Sequence, residues 1–248
     1  MLNLRAELHV HTVLSPCAGI EMIPPLIVQQ ALDFGLNLLA ITDHNASANV
    51  AAVQKAAAGS GLTVLPGMEV QTQEEVHLLC LFDTLDQLNL WQARVDCALP
   101  PLKNDEELFG AQFVVDETGD FIRSEERLLL TSAHIAFDDA VKEVDALGGL
   151  AIPAHVNRKA FGLFANLGFL PQGLPIAAIE ISRHITAEAA CHAYPQIAAY
   201  PLIQSGDVHY LDDFLGVLNL QVAAPTLSEI RLAFRQQENR RMWLSSNA

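Results

Sequence analysis

The start of the chain places two histidines at the end of an apolar segment, in the run His9-Val10-His11. Successive side chains of a β-strand point to opposite faces, so the two imidazoles share one face while Val10 takes the other. Two protonated rings side by side would repel each other, whereas two neutral rings can hold a metal ion. The alternative is a pair of partly exposed histidines with no ligand.

Four later segments deliver the same kinds of side chain, each directly after a short apolar run. They are Thr42-Asp43-His44, Gly67-Met68-Glu69, Pro153-Ala154-His155 and Gly206-Asp207-Val208-His209. Taken singly, each has a plain alternative, since Asp43 can cap a helix or orient a neighbouring ligand and Glu69 can be a surface carboxylate. Together they bring imidazoles and carboxylates from successive strand ends, as a hydrolytic centre with several metals requires.

A further histidine, His77, lies near the start of the apolar run Val76–Phe82. An unpaired polar ring is costly to bury, so His77 is either a ligand or a core histidine with a hydrogen-bond partner. His184 and His192 have no comparable context, and we expect both at the surface.

Short apolar runs of strand length alternate with helical patterns along the chain. The runs are Leu4–His9, Leu38–Thr42, Leu62–Met68, Val76–Phe82, Leu150–Pro153, Ala177–Ser182 and Leu202–Ser205. Helical spacing follows Pro24-Pro25 and recurs before Gly148-Gly149, and the Ala-rich residues 45–58 predict a third helix. The alternation predicts parallel strands covered by helices. A chain of 248 residues is long enough for one large or two small domains, and we expect a single domain over residues 1–248.

Composition limits the class of protein. Hydrophobic residues make up 51% of the chain, which excludes wholesale disorder. No apolar run approaches a membrane span and no secretory leader is recognisable, so we expect a cytoplasmic protein without a membrane partner and with reduced cysteines. The formal charge of −15 argues against binding of long nucleic acid through phosphate contacts, but not against a small phosphorylated substrate. Oligomeric state is left open.

The histidine and carboxylate motifs described above resemble those of a known family. In their order from residue 9 to residue 209, they are similar to those of the PHP (polymerase and histidinol phosphatase) family, within the amidohydrolase-like metal hydrolases. The resemblance implies a distorted (β/α)7 barrel, TIM-like, with two or three divalent ions (zinc, manganese or iron) at the C-terminal ends of the strands. Residues 100–131, which open with Pro100-Pro101 and predict a hairpin turning near Thr118-Gly119, are then expected as an insertion over the barrel mouth.

The resemblance also implies a ligand set. One ion would be held by His9, His11, Glu69 and Asp207; a second by Glu69, His77 and His155; and a third by His44, His209 and a residue near position 17. At that last place the family usually has His or Asp, whereas this chain has Ser15-Pro16-Cys17. A Cys17 thiolate suits zinc. Alternatively, Cys17 is a small apolar filler and the third site is weak or empty.

The expected reaction is hydrolysis of a phosphate ester by metal-activated hydroxide. Asp207 is placed to accept a proton, and a histidine, His209 or His134, could donate one to the leaving oxygen. Arg158 and His134 are candidates for substrate contact, because a guanidinium suits phosphate and because His134 resembles a histidine of PHP phosphoesterases that act on nucleotides. The alternatives are a solvated arginine and a histidine at a helix end.

Three functions remain open from the sequence. The first is a phosphoesterase that acts on a small phosphate ester, such as a nucleotide 3′,5′-bisphosphate or a short oligonucleotide. The second is a histidinol-phosphate phosphatase, and the third a non-catalytic metal-binding regulatory module. The near-complete ligand set favours an enzyme, and the His134 region favours the first function over the second.

Overall fold

A curled seven-stranded sheet forms the centre of the computed structural model, which describes residues 1–245. The strands are β1 (Leu2–Val10), β2 (Leu38–Ile41), β3 (Thr63–Gln71), β4 (His77–Leu81), β5 (Phe113–Val115), β6 (Phe121–Ser124), β7 (Leu150–Pro153), β8 (Ile179–Ile181), β9 (Leu202–Gln204), β10 (Leu218–Val222) and β11 (Arg241–Leu244). The helices are α1 (Pro24–Asp33), α2 (Val50–Ala56), α3 (Leu85–Ala98), α4 (Glu106–Phe109), α5 (Phe137–Ala146), α6 (Leu163–Asn166), α7 (Ala187–Ala193) and α8 (Leu227–Phe234), with 3₁₀ turns at Pro195–Ala199 and Leu211–Asp213.

The order of strands across the large sheet is β11-β10-β1-β2-β3-β4-β7. β1, β2 and β3 are parallel, whereas β4 is antiparallel to both of its neighbours and β10 is antiparallel to β1 and β11. β8 and β9 form a separate parallel pair. Single bridges continue the curl on both sides of that pair, from Ala151 to Ile176 and from Val208 back to Val10. The result is an α/β half-barrel of the expected TIM-like kind, without a regular sevenfold β/α repeat.

All seven strands predicted from apolar runs are present, but the prediction that they run parallel is wrong for β4. Only residues 72–76 separate β3 from β4, which is too short for a crossover helix. The chain turns back instead, with the Thr72 N–H donating to the Val76 carbonyl at 2.9 Å and with Glu75 at φ 59°. The first residue of β4, His77, therefore lies opposite the last residue of β3, Gln71.

The predicted helix over residues 45–58 is wrong in its first part, since α2 begins only at Val50. Asn45 has a left-handed backbone, with φ 50°, and its side chain donates to the carbonyls of Leu129 and Thr131, both at 2.8 Å. Asn and Asp tolerate this conformation and bond to backbone outside helices, so residues 45–49 form a loop.

Residues 100–131 contain the predicted hairpin, formed by β5 and β6 with Gly119 at φ 88° in the turn. The buried Asn49 side chain holds it, donating to the Phe113 carbonyl at 2.9 Å and accepting from the Val115 N–H at 3.0 Å. The Phe113 N–H donates to the Val13 carbonyl at 2.9 Å. These contacts place the segment against the loops that follow β1 and β2, whereas its status as an insertion in a single domain remains a prediction.

Apolar side chains cover both faces of the large sheet. Alternate residues of β4 divide between two clusters, Leu79 in one and Leu78 in the other. The first cluster includes Ile230 of α8, and the second includes Trp91 of α3 and Val141 of α5. Two buried faces leave the ends of the strands as the places where polar side chains can gather. Within residues 1–245, no helix combines the length and the apolar character that a bilayer crossing requires.

Candidate metal centre

The carboxylate of Glu69, just before the end of β3, lies at the centre of five imidazoles. Its Oε1 is 2.9 Å from His77 Nδ1, 3.2 Å from His9 Nε2 and 3.3 Å from His155 Nε2, and its Oε2 is 3.0 Å from His44 Nδ1 and 3.4 Å from His11 Nε2. The Glu69 side chain is 1% exposed, yet neither oxygen has a hydrogen-bond partner among residues 1–245. Buried polar atoms that converge without satisfying one another need another group. A divalent cation would fit between the Glu69 carboxylate and these imidazoles.

Asp207 supplies a second carboxylate to the same centre. Its Oδ1 lies 3.1 Å from His9 Nε2, 3.4 Å from His11 Nε2 and 3.5 Å from His209 Nδ1, and it too is buried without a hydrogen-bond partner in the described part of the chain. The backbone of Asp207 is left-handed, with φ 51°, a strained conformation of the kind that collects at functional sites.

Three groups of possible ligand atoms lie within 4.8 Å of one another in the described residues. They are His9-His11-Glu69-Asp207, His44-Glu69-His77 and His11-His44-His209. The first coincides with the set expected for one ion. The second group, His44-Glu69-His77, contains His44 where the expected set had His155. The third group, His11-His44-His209, does not include Cys17, which was expected there. Which residues hold which ion remains a proposal.

His77 reaches this centre because β4 is reversed. The other candidate ligands follow or lie near the ends of strands that run toward the site, whereas His77 begins a strand that runs away from it. A short antiparallel hairpin therefore places a strand start beside strand ends.

Asp43 contacts the residues that hold His11, a candidate ligand, which matches one of the two roles open to Asp43 from the sequence. Its carboxylate accepts from the Thr12 N–H at 2.7 Å, the Thr12 hydroxyl at 2.8 Å and the Ser15 hydroxyl at 2.7 Å. Ser15 Oγ in turn lies 2.9 Å from His11 Nδ1, on the side of the ring away from Glu69. This chain of contacts fixes the ring of His11.

Burial and the carboxylates set the protonation of the histidines. Burial lowers the pKa of His44 to about 4 and that of His209 to about 3, so both rings are neutral and keep a lone pair for a cation. Burial also opposes protonation of His9, but Glu69, Asp207 and Glu180 outweigh it and raise the pKa of His9 well above its ordinary value. The centre therefore attracts positive charge.

Reasoning from sequence missed Glu180, which lies between two buried isoleucines on β8. Its Oε2 lies 3.0 Å from His9 Nδ1, and its side chain is 2% exposed. A charged residue in the middle of a short apolar strand was the available signal, because an unpaired carboxylate is rarely buried.

Residues of the candidate metal centre line a cavity of about 770 Å³. Arg158 and Cys17 line this cavity, together with His44, Glu69, His77, His155, Asp207 and His209. The guanidinium of Arg158 contacts Asp207 Oδ2. The cavity thus brings the candidate phosphate-binding side chain to the candidate ligands.

His134 does not join them, so the structure gives no support to its predicted catalytic and substrate-binding roles. Its side chain is exposed and lies outside the residues that line the cavity. The flanking Ala133 and Ile135 are buried, and the His134 N–H donates to the Ala98 carbonyl at 2.8 Å. The His134 side chain therefore faces away from the core.

The family model described as the PHP domain matches residues 7–158, from β1 to the loop after β7. This chain belongs to the PHP domain family. No curated protein sequence matches the chain.

Solved structures share the fold of this PHP domain protein. Endonuclease Q from Pyrococcus furiosus, described as lesion-specific, has a TM-score of 0.69 at 18% identity, with 97% of this chain and 58% of that chain covered. A complex of Endonuclease Q with a 27-mer duplex that carries an abasic lesion at its active site has a TM-score of 0.70 at 19% identity, with the same coverage. A proposed metal-dependent phosphoesterase from Bifidobacterium adolescentis has a TM-score of 0.57 at 19% identity, with 83% of this chain and 87% of that chain covered. This chain thus spans 58% of the Endonuclease Q chains.

The expectation that long nucleic acid is excluded as a partner is wrong, since a protein of this fold is seen with duplex DNA at its active site. Net charge is a sum over the whole surface, whereas bound divalent ions reverse the sign of the potential locally. The charge of −15 therefore does not decide between a small substrate and a nucleic acid.

Family membership and the cluster of buried histidines and carboxylates together show a PHP domain with side chains placed to hold metal ions.

Proposed function

We propose that this PHP domain protein hydrolyses a phosphate ester of a nucleotide or a short oligonucleotide, with two or three ions of zinc, manganese or iron bound around Glu69. The observation that carries the proposal is the pair of buried Glu69 oxygens, each within 3.4 Å of at least two imidazole nitrogens and neither with a hydrogen-bond partner in residues 1–245. A carboxylate with two such oxygens is suited to bridging two cations.

Bound divalent ions would lower the pKa of a coordinated water to about 7 and neutralise charge on the phosphoryl oxygens. The chain's own groups supply the remaining functions. Asp207 Oδ1, buried and without a hydrogen-bond partner in the described chain, is an acceptor for a proton from the attacking water. Arg158, already in contact with Asp207, can bind two phosphoryl oxygens with its guanidinium. His209 has a lowered pKa, which suits a neutral ligand better than the proton donor expected from the sequence.

A second candidate is cleavage of a DNA strand. It is favoured by one observation, the likeness in fold to Endonuclease Q over 97% of this chain. It ranks second because that likeness is at 18–19% identity and because this chain spans 58% of those chains. Histidinol phosphate as substrate, and a regulatory module without catalysis, are the remaining alternatives.

One panel separates these functions. The protein is stripped of metal, reloaded with manganese or zinc, and given a nucleotide 3′,5′-bisphosphate, a short oligonucleotide, histidinol phosphate, an aryl phosphate and a duplex with or without an abasic site. We expect metal-dependent release of phosphate or of nucleotides from the first two, and no release with a Glu69→Gln variant prepared in parallel. Strand scission of the duplex alone would establish the second candidate. If the protein binds metal but turns over none of these compounds, the result would favour the non-catalytic regulatory module.

A further inference from the structure

We infer that Glu180 is a positioning residue, which holds the His9 ring so that Nε2 faces the metal ligands and which ties His9 to the His155 loop. The inference deepens the proposed function and rests on it, because a fixed His9 matters only if His9 binds an ion.

One oxygen of Glu180 makes both connections. Oε2 lies 3.0 Å from His9 Nδ1 and accepts the backbone N–H of His155 at 3.0 Å. The His9 and Glu180 side chains are 0% and 2% exposed, so water does not compete for these bonds. A single atom on β8 therefore joins the end of β1 to the loop after β7.

The contact with Glu180 fixes the proton on the His9 ring. A carboxylate can only accept from a neighbouring ring nitrogen, so Nδ1 carries a hydrogen and Nε2 is left with a free lone pair when the ring is neutral. Nε2 is the nitrogen that lies 3.2 Å from Glu69 Oε1 and 3.1 Å from Asp207 Oδ1. Carboxylates that hold a metal-binding histidine in this way set both its tautomer and its basicity.

Glu180 also holds the backbone of His155. His155 has φ 29°, a conformation that L-residues rarely adopt and that persists only where the surroundings impose it. The carboxylate of Glu180 accepts the His155 N–H, and the carbonyl of Glu180 accepts the Val156 N–H at 3.0 Å. Two consecutive amides of the turn are thus held by one residue of the adjacent strand.

Most buried side-chain oxygens have a hydrogen-bond partner. Here Oε1 of Glu180 is buried and has no hydrogen-bond partner in residues 1–245, and Glu180 lines the cavity of the metal centre. The unpartnered oxygen and the position at the cavity place Glu180 in the same site as His9, not in the surrounding core.

The test compares Glu180→Leu, Glu180→Gln and the control Glu188→Gln, an exposed glutamate a few residues along the chain. Zinc affinity is measured by competition with a chromophoric chelator, and the His9 tautomer by ¹⁵N NMR of the zinc-loaded protein. We expect Glu180→Leu to weaken zinc binding by about 10–100-fold and to disturb the Nδ1–H signal of His9. Glu180→Gln, which keeps an acceptor without the charge, should retain the tautomer with a smaller loss. Glu188→Gln should match the wild type.

Zinc affinity within twofold of wild type in both Glu180 variants, with the His9 tautomer unchanged, would overturn the inference. Should Glu180→Leu fail to fold, the affinity and tautomer of Glu180→Gln decide, and an unchanged value of both counts against the role. Neither readout uses a substrate. A wild-type protein that binds zinc but hydrolyses no ester would therefore overturn the proposed hydrolysis without overturning this inference, which rests on the metal-binding part of that proposal.

Discussion

His77 Nδ1 lies 2.9 Å from Glu69 Oε1, although the two residues belong to neighbouring strands that run in opposite directions. The tight connection between β3 and β4 makes this possible, because it returns the chain to the site at once. Glu69 therefore has a candidate ligand on both sides: His77 on β4, and His44 after β2, whose backbone pairs with that of Glu69 in a single parallel bridge. The Glu69 carboxylate is common to two of the three groups of candidate ligand atoms.

Replacement of Glu69 by Gln should remove metal and activity together. The amide cannot bridge two cations. Its N–H₂ group would face the imidazoles, and that nitrogen has no lone pair to offer an ion. We expect turnover to fall by more than the roughly 10–100-fold typical of residues that only support a ligand. Elemental analysis and phosphate release check this, with the exposed His192→Ala as control. Full metal content in Glu69→Gln would contradict the site.

Metal should stabilise the folded chain. Ions that bind only the folded state add about 2.7 kcal/mol at a free concentration 100 times Kd, which corresponds to roughly 5–10 °C in Tm for a chain of this size. Thermal unfolding of the chelator-treated protein, with and without added zinc or manganese, measures the shift. The same titration of Glu69→Gln should give little change, and an unshifted Tm in the wild type would argue against a metal centre.

Arg158 should affect substrate binding without affecting metal. A charge-assisted hydrogen bond contributes about 1.5–3 kcal/mol, so Arg158→Ala should raise KM for a phosphate ester by about 10–100-fold. Arg158→Lys should recover only part of this, because an ammonium lacks the planar fork. The exposed neighbour Lys159→Ala is the matched control. Steady-state kinetics with parallel metal analysis decide, and an unchanged KM would assign Arg158 to solvent.

Cys17 remains a proposed ligand of a third ion. It lines the cavity with His44 and His209, but its sulfur would have to come closer to join the group of nitrogens around His11. If it does bind, Cys17→Ser should reduce the zinc content by one ion per chain while a working pair of metals and measurable turnover remain. Cys97→Ser, an exposed cysteine on α3, is the control. Identical stoichiometry in both variants would remove Cys17 from the ligand set.

Asn49 should anchor the 100–131 segment. Its buried side chain bonds to Thr12, Phe113 and Val115, and truncation would leave buried backbone groups without partners. We expect Asn49→Ala to lower the free energy of unfolding by about 1–3 kcal/mol and to speed hydrogen exchange at residues 113–115. The exposed Asn89→Ala serves as comparison. Equal exchange in the two variants would mean that the segment is held by other contacts.

The local pattern of the chain was enough to predict most of the residues that lie together at the candidate metal centre. His9 and His11 are two residues apart at the end of β1, so the period of a strand alone puts both on one face. Asp207 and His209 were expected together for the same reason, but they lie in the loop after β9, where Asp207 has a left-handed backbone. Glu69 and His155 follow apolar runs in the same way. Ends of parallel strands meet at one edge of a sheet, and this is why residues far apart in the chain could be expected together.

Tertiary structure decided what local pattern could not. The reversal of β4 brings His77 to the site, and a side-chain contact across to β8 places Glu180 behind His9. Burial of Ala133 and Ile135 leaves His134 facing outward. Net charge likewise failed as a guide to partners, because it sums a surface whose potential at the cavity is set by a few nearby groups. Periodicity depends on a few consecutive residues and can be read from the sequence. Strand direction, side-chain burial and the pairing of distant residues depend on which segments pack together in the folded chain.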